Sequence, residues 1–270
     1  MKFQTNIDII SPNFSFKPCK RILFVGSCFA DNIGKRFKEE KFRTIVNPFG
    51  VMYNPVSILH TVRKLSNQAF DIAVFTLGTN HVYIEKATGE IVDNCQKRPQ
   101  KLFNEQELTI DESANALREA IHLLRKQNPN VKVIVTVSPI RYAKYGFHGS
   151  QLSKATLLLA ADKLVREEGE AVYYFPAYEI VNDELRDYRF YKADMLHPND
   201  QAVEYIWERL VETCFSSEAK KFLEAWRPIK EALGHRPFNP DSEAFRLFIQ
   251  KTKEKIQWLK QLYPDLELDE

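Results

Sequence analysis

The sequence predicts an α/β protein in which a parallel β-sheet of five strands lies between two layers of helices. Short apolar runs of strand length alternate along the chain with longer segments whose apolar residues recur every three or four positions. The longest of these runs, such as FDIAVFTLG at residues 70–78, are apolar on both faces, which is typical of parallel strands covered by helices. This repeated strand–helix order favours a three-layer sandwich.

The first strand–helix unit is RILFVGSCFADNIGKRF, residues 21–37. Residues 22–25 form a continuous apolar run, and after Gly26 the residues Phe29, Ile33 and Phe37 recur at helical spacing. Ser27 is therefore expected at the tip of the first strand, in the first turn of a helix. Reacting groups gather at this end of a parallel sheet, but a hydroxyl there also serves as a helix cap.

The remaining elements follow in the same order. Further strands are predicted at residues 42–47, 70–78, 131–140 and 171–176, and helices at 55–67, 111–130, 152–169 and 199–215, the last capped by Asn199 or Asp200. A hairpin with a Thr-Gly turn is predicted at 81–95, and a long polar loop at 141–154.

The chain changes character near Ser216, so we predict one domain at residues 1–215 and a C-terminal helical extension at 216–270. One face of the last helix carries an apolar stripe made of Phe245, Ile249, Thr252, Ile256, Leu259 and Tyr263. The stripe indicates either an appendage packed on the α/β core or the seam of a homodimer formed through the C-terminal helices.

Composition excludes several classes of protein. The 270 residues include 44% hydrophobic and 27% charged residues, as in an ordinary globular protein, and the net charge of +2 argues against nucleic-acid binding. No apolar run is long enough for a signal peptide or a membrane span. The four cysteines are scattered without paired spacing, which predicts reduced thiols and a cytoplasmic location. Neither a metal-ligand cluster nor a phosphate-binding loop is found, so no metal and no cofactor are predicted.

A set of polar residues follows the predicted strands and could support nucleophilic catalysis. A hydroxyl nucleophile needs a base, a group that orients the base, and donors for the oxyanion. Ser27 follows the first strand, and Asp194 precedes His197 by three residues, a spacing that lets the carboxylate hold one imidazole nitrogen. Gly50 follows the second strand and Asn80 the third, so both are candidate oxyanion donors.

Each of these residues also has a structural interpretation. Ser27 could cap the helix, and Asp194 and His197 could form a surface pair. Asn80 could hold an Asx-turn, and Gly50 could supply a positive φ. Cys28, beside Ser27, is a rival nucleophile at a helix N-terminus, although a thiol facing the core is the alternative.

Four further residues are candidates for substrate binding. Arg141, Tyr145 and His148 lie in the predicted polar loop, and loops at this end of the sheet set specificity. His81 follows Asn80 and could line the site or pack within the hairpin.

The combined motifs resemble those of the SGNH hydrolases, also called GDSL esterases. Within that superfamily, GSCFA at residues 26–30 matches the motif that names the GSCFA family, with supporting runs NPFGVMYNP, TLGTNHVY, SPIRY, LSKATLLL and DELRDYRFYKADMLHPN. The resemblance covers roughly residues 20–215. It implies a hydrolase-like fold with Ser27 as nucleophile, His197 as base and Asp194 as its orienting carboxylate. It also implies an oxyanion hole made of Gly50, Asn80 and the Ser27 amide.

The resemblance has departures. Gly-Ser-Cys stands where the superfamily has a Gly-Asp-Ser type of block, and Asn80-His81 stands in place of Asn-Asp. Ser27, Asp194 and His197 together lead us to expect a serine esterase that acts on an O-acyl ester of a carbohydrate or lipid. The alternatives are an acyltransferase with the same site and a non-catalytic binding or scaffold protein on this fold.

Overall fold

In a computed structural model of the protein, residues 1, 4–65, 67–93, 95 and 98–266 are described. Predictions for the other positions lie outside the described residues. These positions include Ser66 of the predicted second helix, Asn94 of the predicted hairpin, and 267–270 at the end of the predicted extension.

A parallel sheet of five strands lies at the centre of the molecule, as predicted, in the order β2-β1-β3-β7-β8. The strands, in chain order, are β1 (Arg21–Gly26), β2 (Arg43–Val46), β3 (Ile72–Leu77), β4 (His81–Glu85), β5 (Ile91–Val92), β6 (Phe103–Glu107), β7 (Lys132–Val137) and β8 (Val172–Tyr174). Successive side chains of β1 point to opposite faces, so Ile22 and Phe24 enter one core and Leu23 and Val25 the other.

Helices cover both faces of this sheet and complete the predicted three-layer sandwich. They are α1 (Cys28–Glu39), α2 (Pro55–Lys64), α3 (Ile110–Gln127), α4 (Gly146–Glu168), α5 (Ala177–Glu179), α6 (Asp200–Cys214), α7 (Ser217–Gly234) and α8 (Glu243–Leu262). Helices α2, α3 and α4 pack on one face, and α1, α6 and α7 on the other. A π-helical turn at Ile180–Leu185 continues α5.

Side-chain caps explain where the helices begin. Asn54 accepts a hydrogen bond from the Ser57 amide and precedes Pro55, which is preorganised for the first turn of α2. Asn199, rather than Asp200, caps α6 by accepting from the Ala202 amide at 3.0 Å. The bond between Asn199 and Ala202 therefore decides between the two caps, Asn199 and Asp200, that the sequence left open.

Two predictions about the elements after the third and fourth strands need correction. The predicted hairpin is present as β4 and β5, but β6 joins it to make a three-stranded antiparallel sheet. The predicted loop at 141–154 is wrong in its second half, because α4 already begins at Gly146. No side-chain cap marks that start, and two glycines in the first turn obscure the helical pattern.

The C-terminal helices pack against the α/β core of the same chain. Trp226 of α7 is buried and donates a hydrogen bond to the Glu39 carbonyl at 3.1 Å. On α8 the predicted stripe faces inward: Leu259 is fully buried, and Tyr263 meets Phe222 edge-on at 5.1 Å. The stripe therefore contacts its own chain, and the homodimer and the division at residue 216 stay predictions.

The described part of the chain contains no helix that is both long enough and apolar enough to cross a membrane.

Two leucines on α8 give a matched test of this packing. Leu259 is 0% exposed, whereas Leu262, three residues later, is 54% exposed. We expect Leu259→Ala to lower the free energy of unfolding by about 2–4 kcal/mol, because it leaves a cavity in the core. Leu262→Ala should change it by less than about 0.5 kcal/mol. Urea unfolding of both variants measures the difference.

Equal stabilities for the two variants would contradict the packing of α8 on its own chain. Sedimentation of the same variants adds a check on the dimer. A dimer that Leu262→Ala dissociates would place the seam on the exposed face of α8.

Candidate active site

The ends of strands β1, β3 and β7 meet at one edge of the sheet. The Ser27 amide donates to the Thr76 carbonyl at 3.1 Å, and the Ser138 amide donates to the Leu77 carbonyl at 2.8 Å. Beyond β7, the Arg141 amide donates to the Leu196 carbonyl at 3.0 Å. These bonds join the turn after β1, the turn after β3 and the segment before α6 at the carboxyl edge, where open α/β sheets bind ligands.

Ser27 is fully buried and caps α1. Its hydroxyl accepts a hydrogen bond from the Phe29 amide at 3.3 Å and lies 3.1 Å from the Thr76 hydroxyl. The helix-cap interpretation is thus realised in the structure. Among the described residues no hydrogen bond joins Ser27 to His197.

The turn that holds Ser27 depends on Gly26 and Asn47. Gly26 has a φ of +148°, and a Cβ there would overlap the backbone carbonyl of Thr76. Asn47 accepts from the Gly26 amide at 2.9 Å and donates to Asp31 at 2.7 Å, which links the end of β1 to α1. Asn47 lies in the loop NPFG, and its sequence position carries no signal for this role.

Asp194 and His197 form the predicted pair. The carboxylate lies 2.7 Å from Nδ1 of His197 and accepts from the amides of His197 at 3.0 Å and Leu196 at 2.9 Å. These hydrogen bonds lower the pKa of Asp194 to about 2, the His197 amide contributing most. Both side chains are partly exposed, so the pair lies at the surface of the edge that holds Ser27.

The three predicted oxyanion donors are each engaged elsewhere. The Ser27 amide bonds to Thr76, and the Gly50 amide donates to the Asn47 carbonyl at 2.9 Å. The side-chain amide of Asn80 donates to the Leu108 carbonyl at 2.9 Å, inside a buried loop. Gly50 has a φ of +95°, in keeping with its structural interpretation. The structure therefore brings Ser27 and Asn80 to the same edge without a ready oxyanion hole between them.

Two tyrosines for which the sequence carried no signal, Tyr53 and Tyr142, lie beside the turn that holds Ser27, and we call this pair the tyrosine cover. Their rings meet edge-on with centroids 6.0 Å apart, and Tyr53 places its hydroxyl 3.8 Å from the Cys28 thiol. A Cβ on Gly78 would lie 2.6 Å from the Tyr142 hydroxyl and 3.4 Å from Cβ of Ser27. The absence of a side chain at Gly78 thus makes room for the Tyr142 hydroxyl beside Ser27.

A buried lysine contacts both Gly78 and the segment that carries Tyr142. Lys154 of α4 donates to the carbonyls of Gly78 and Ser138, both at 2.7 Å, and its Nζ lies 5.2 Å from the Tyr142 ring centroid. One turn earlier, Ser150 accepts from the Tyr142 amide at 3.2 Å. In the described part of the chain no carboxylate pairs with Lys154, and burial lowers its pKa to about 7.

The sequence did contain a signal for Lys154. The buried face of α4 is Ser150, Ser153, Lys154, Leu157, Ala160, Ala161 and Leu164, so the lysine falls on a stripe that should be apolar. A charged side chain at such a position indicates a buried polar contact.

The four predicted substrate-binding residues are divided between two places. Arg141 lies beside the Asp194–His197 turn, where it donates to the Met195 carbonyl at 2.9 Å and stacks over Phe147 at 4.1 Å. His81 and Tyr145 instead stack on each other with centroids 3.6 Å apart. Burial lowers the pKa of His81.

The stacked pair belongs to a packing network. Tyr145 donates to Glu105 of β6 at 2.5 Å, so the network ties the small sheet to the segment before α4. His148 is exposed in the first turn of α4.

Comparison with known families identifies the chain. The model of the GSCFA family matches residues 21–71 and 61–210. The chain belongs to the GSCFA family. The model described as "GSCFA domain protein, C-terminal domain" matches residues 226–270, which include all of α8. No curated protein matches the chain significantly.

Solved structures show which fold this GSCFA protein adopts. A candidate GDSL-like lipase from Parabacteroides merdae ATCC 43184 superposes with a TM-score of 0.50 at 14% identity, over 75% of this chain and 99% of that one. An acetyl-xylooligosaccharide esterase from Geobacillus gives a TM-score of 0.49 at 14% identity, over 76% and 98%. The GSCFA chain has the SGNH hydrolase fold.

The buried lysine predicts a specific dependence of stability on pH. The folded protein releases the Lys154 proton near pH 7, whereas the unfolded chain holds it to about pH 10. Stability should therefore rise with pH between these values. We expect the unfolding free energy of the wild type, relative to Lys154→Met, to increase by about 1.4 kcal/mol per pH unit in this window.

Urea unfolding at several pH values measures this slope. Lys163→Met, at a partly exposed position of the same helix, is the control and should follow the wild-type profile. Parallel profiles for wild type and Lys154→Met would show that the amine does not release its proton on folding.

Proposed function

We propose that this GSCFA protein is a serine esterase that cleaves an O-acyl ester of a carbohydrate or lipid. Ser27 is the nucleophile, His197 the base and Asp194 the carboxylate that orients the base. The proposal is supported above all by the 2.7 Å contact between Asp194 and Nδ1 of His197, next to the segment that covers Ser27. This contact fixes the ring and leaves Nε2 to accept a proton.

The reaction follows from these roles. His197 accepts the proton of the Ser27 hydroxyl while Oγ attacks the acyl carbon, and the carbonyl electron pair moves onto oxygen. Collapse of this intermediate breaks the bond to the alcohol, which leaves with the proton from His197. Water then releases the acid from the acyl-enzyme by the same route. A second alcohol in place of water would make the protein an acyltransferase.

Catalysis requires a rearrangement at Ser27. The hydroxyl must rotate away from Thr76, and the tyrosine cover must shift to admit an acyl group, because Ser27 has no exposed surface. Tyr142 lies on the segment that also contacts the Asp194–His197 turn through Arg141. Movement of this one segment would expose the Ser27 hydroxyl and would at the same time change the distance between Ser27 and His197.

The burial of Ser27 favours a second candidate function from another class. The Ser27 hydroxyl is fully buried and caps a helix, and the amides of Ser27, Gly50 and Asn80 donate to backbone carbonyls. A binding or scaffold protein on this fold would contain the same arrangement. Such a protein would keep the Asp194–His197 turn as a surface feature and would show no turnover.

Labelling with a fluorophosphonate probe separates the two functions. The Ser27 oxygen forms a bond to phosphorus, fluoride leaves, and His197 takes the proton, so only an activated serine reacts readily. We expect labelling at Ser27, none in Ser27→Ala, and a rate about 10³-fold lower in His197→Ala and Asp194→Asn. Peptide mass spectrometry locates the probe.

Two control variants sharpen this experiment. His122→Ala removes an exposed histidine on α3 and should react at the wild-type rate. Cys28→Ser should retain the label at Ser27, whereas a label on Cys28 in the wild type would identify the thiol as the nucleophile. A folded wild-type protein that reacts with neither the probe nor p-nitrophenyl esters would favour the binding protein.

A further inference from the structure

The proposed esterase reaction needs donors for the oxyanion, and the expected residues supply at most one N–H, from Asn80, in this structure. The amides of Ser27 and Gly50 and the side chain of Asn80 already donate to backbone carbonyls. For Asn80 the bond to the Leu108 carbonyl anchors the start of β4 and uses one of the two N–H groups of the side-chain amide, which leaves only the second for a substrate.

One donor beside Ser27 has no hydrogen-bond partner among the residues that the structure describes. The hydroxyl oxygen of Tyr142 is buried and unpaired, a costly state that is rare in folded proteins. It fills the place that a side chain on Gly78 would take, 2.6 Å from the position of a Cβ there, and Cβ of Ser27 lies 3.4 Å from the same position. An unpaired buried donor at this point suits a ligand atom that arrives only when the substrate is bound.

We propose that the Tyr142 hydroxyl donates a hydrogen bond to the oxyanion that forms when Ser27 attacks an ester, in the role that Asn80 was expected to fill. This inference rests on the proposed function. As the Ser27 oxygen bonds to the acyl carbon, the carbonyl electron pair moves onto oxygen, and the Tyr142 O–H meets the new charge. The hydroxyl keeps its proton throughout.

The surroundings of Tyr142 suit a donor of this kind. Burial raises its pKa well above 10, so the hydroxyl remains an O–H donor at neutral pH. Ser150 accepts a hydrogen bond from the backbone amide of Tyr142, and Nζ of Lys154 lies 5.2 Å from the centroid of the Tyr142 ring. The same amine donates to the carbonyls of Ser138 and Gly78. After the tyrosine cover has shifted to admit the acyl group, these contacts keep Tyr142 near Ser27, where its hydroxyl can reach the oxyanion.

The substitution Tyr142→Phe separates a catalytic from a structural role. It removes an oxygen atom that makes no hydrogen bond within the described part of the chain and retains the ring that packs on Lys154. A structural role therefore predicts unchanged or slightly higher thermal stability and unchanged turnover. The catalytic role predicts the same stability with a loss of kcat of about 10²–10³-fold, as for other oxyanion donors.

The experiment measures hydrolysis of p-nitrophenyl acetate and the rate of fluorophosphonate labelling in wild type, Tyr142→Phe and Tyr173→Phe. Tyr173 of β8 is the matched control, since its hydroxyl donates to the Ile10 carbonyl, away from Ser27. We expect kcat to fall about 100-fold or more in Tyr142→Phe with KM within about threefold, and both to stay at wild-type values in the control.

The outcomes distinguish this inference from the function on which it rests. Wild-type kcat in Tyr142→Phe, with labelling of Ser27 intact, would overturn the role of Tyr142 and leave the esterase standing. A loss carried by KM alone would also overturn it, because the hydroxyl would then bind the ground state. A wild-type protein without labelling or turnover would refute both.

Discussion

The amine of Lys154 is the contact on which the rest of this edge of the sheet depends. It bridges the carbonyls of Gly78 and Ser138 at 2.7 Å each, and so joins the turns that follow the two central strands β3 and β7. A neutral amine has two N–H donors, which matches these two acceptors, and a pKa near 7 favours that form. Without this bridge two buried carbonyls would lie unpaired beneath Tyr142.

The positions of Gly78 and of the segment after β7 depend on this bridge. Gly78 is held against the Tyr53 carbonyl, which accepts from the amides of Gly78 and Thr79. The segment after β7 then carries Tyr142 over Ser27 and carries Arg141 to the Asp194–His197 turn. Ser27 is buried, His197 is partly exposed, and the segment after β7 lies between them. If these two residues are the proposed nucleophile and base, movement of that segment would change the surroundings of both.

Local patterns predicted much of this structure. Apolar runs identified the five parallel strands, and the stripe on α8 identified the face that packs inward. Strand β6 was missed because four of its five residues are polar and exposed, and only pairing with β4 makes Phe103–Glu107 a strand. The start of α4 was missed because Gly146 and Gly149 interrupt the pattern.

The site was less predictable than the fold, for a physical reason. The Asp194–His197 pair is local, so a spacing of three residues was enough to predict its contact. The partners of Asn80, Gly50 and the Ser27 amide depend on loops that meet only in three dimensions, and no spacing reports them. Tyr142 belongs to the same group, since its unpaired hydroxyl is visible only once Gly78 and Ser27 are in place.

A crystal structure of the protein after reaction with the fluorophosphonate would test the central claim most directly, because it shows the opened site. The account predicts phosphorus bonded to Oγ of Ser27, the His197 ring within hydrogen-bond reach of that oxygen, and a phosphoryl oxygen about 3 Å from the Tyr142 hydroxyl. Phosphorus on any other residue, or an unmodified Ser27 still capping α1 beneath the tyrosines, would contradict it.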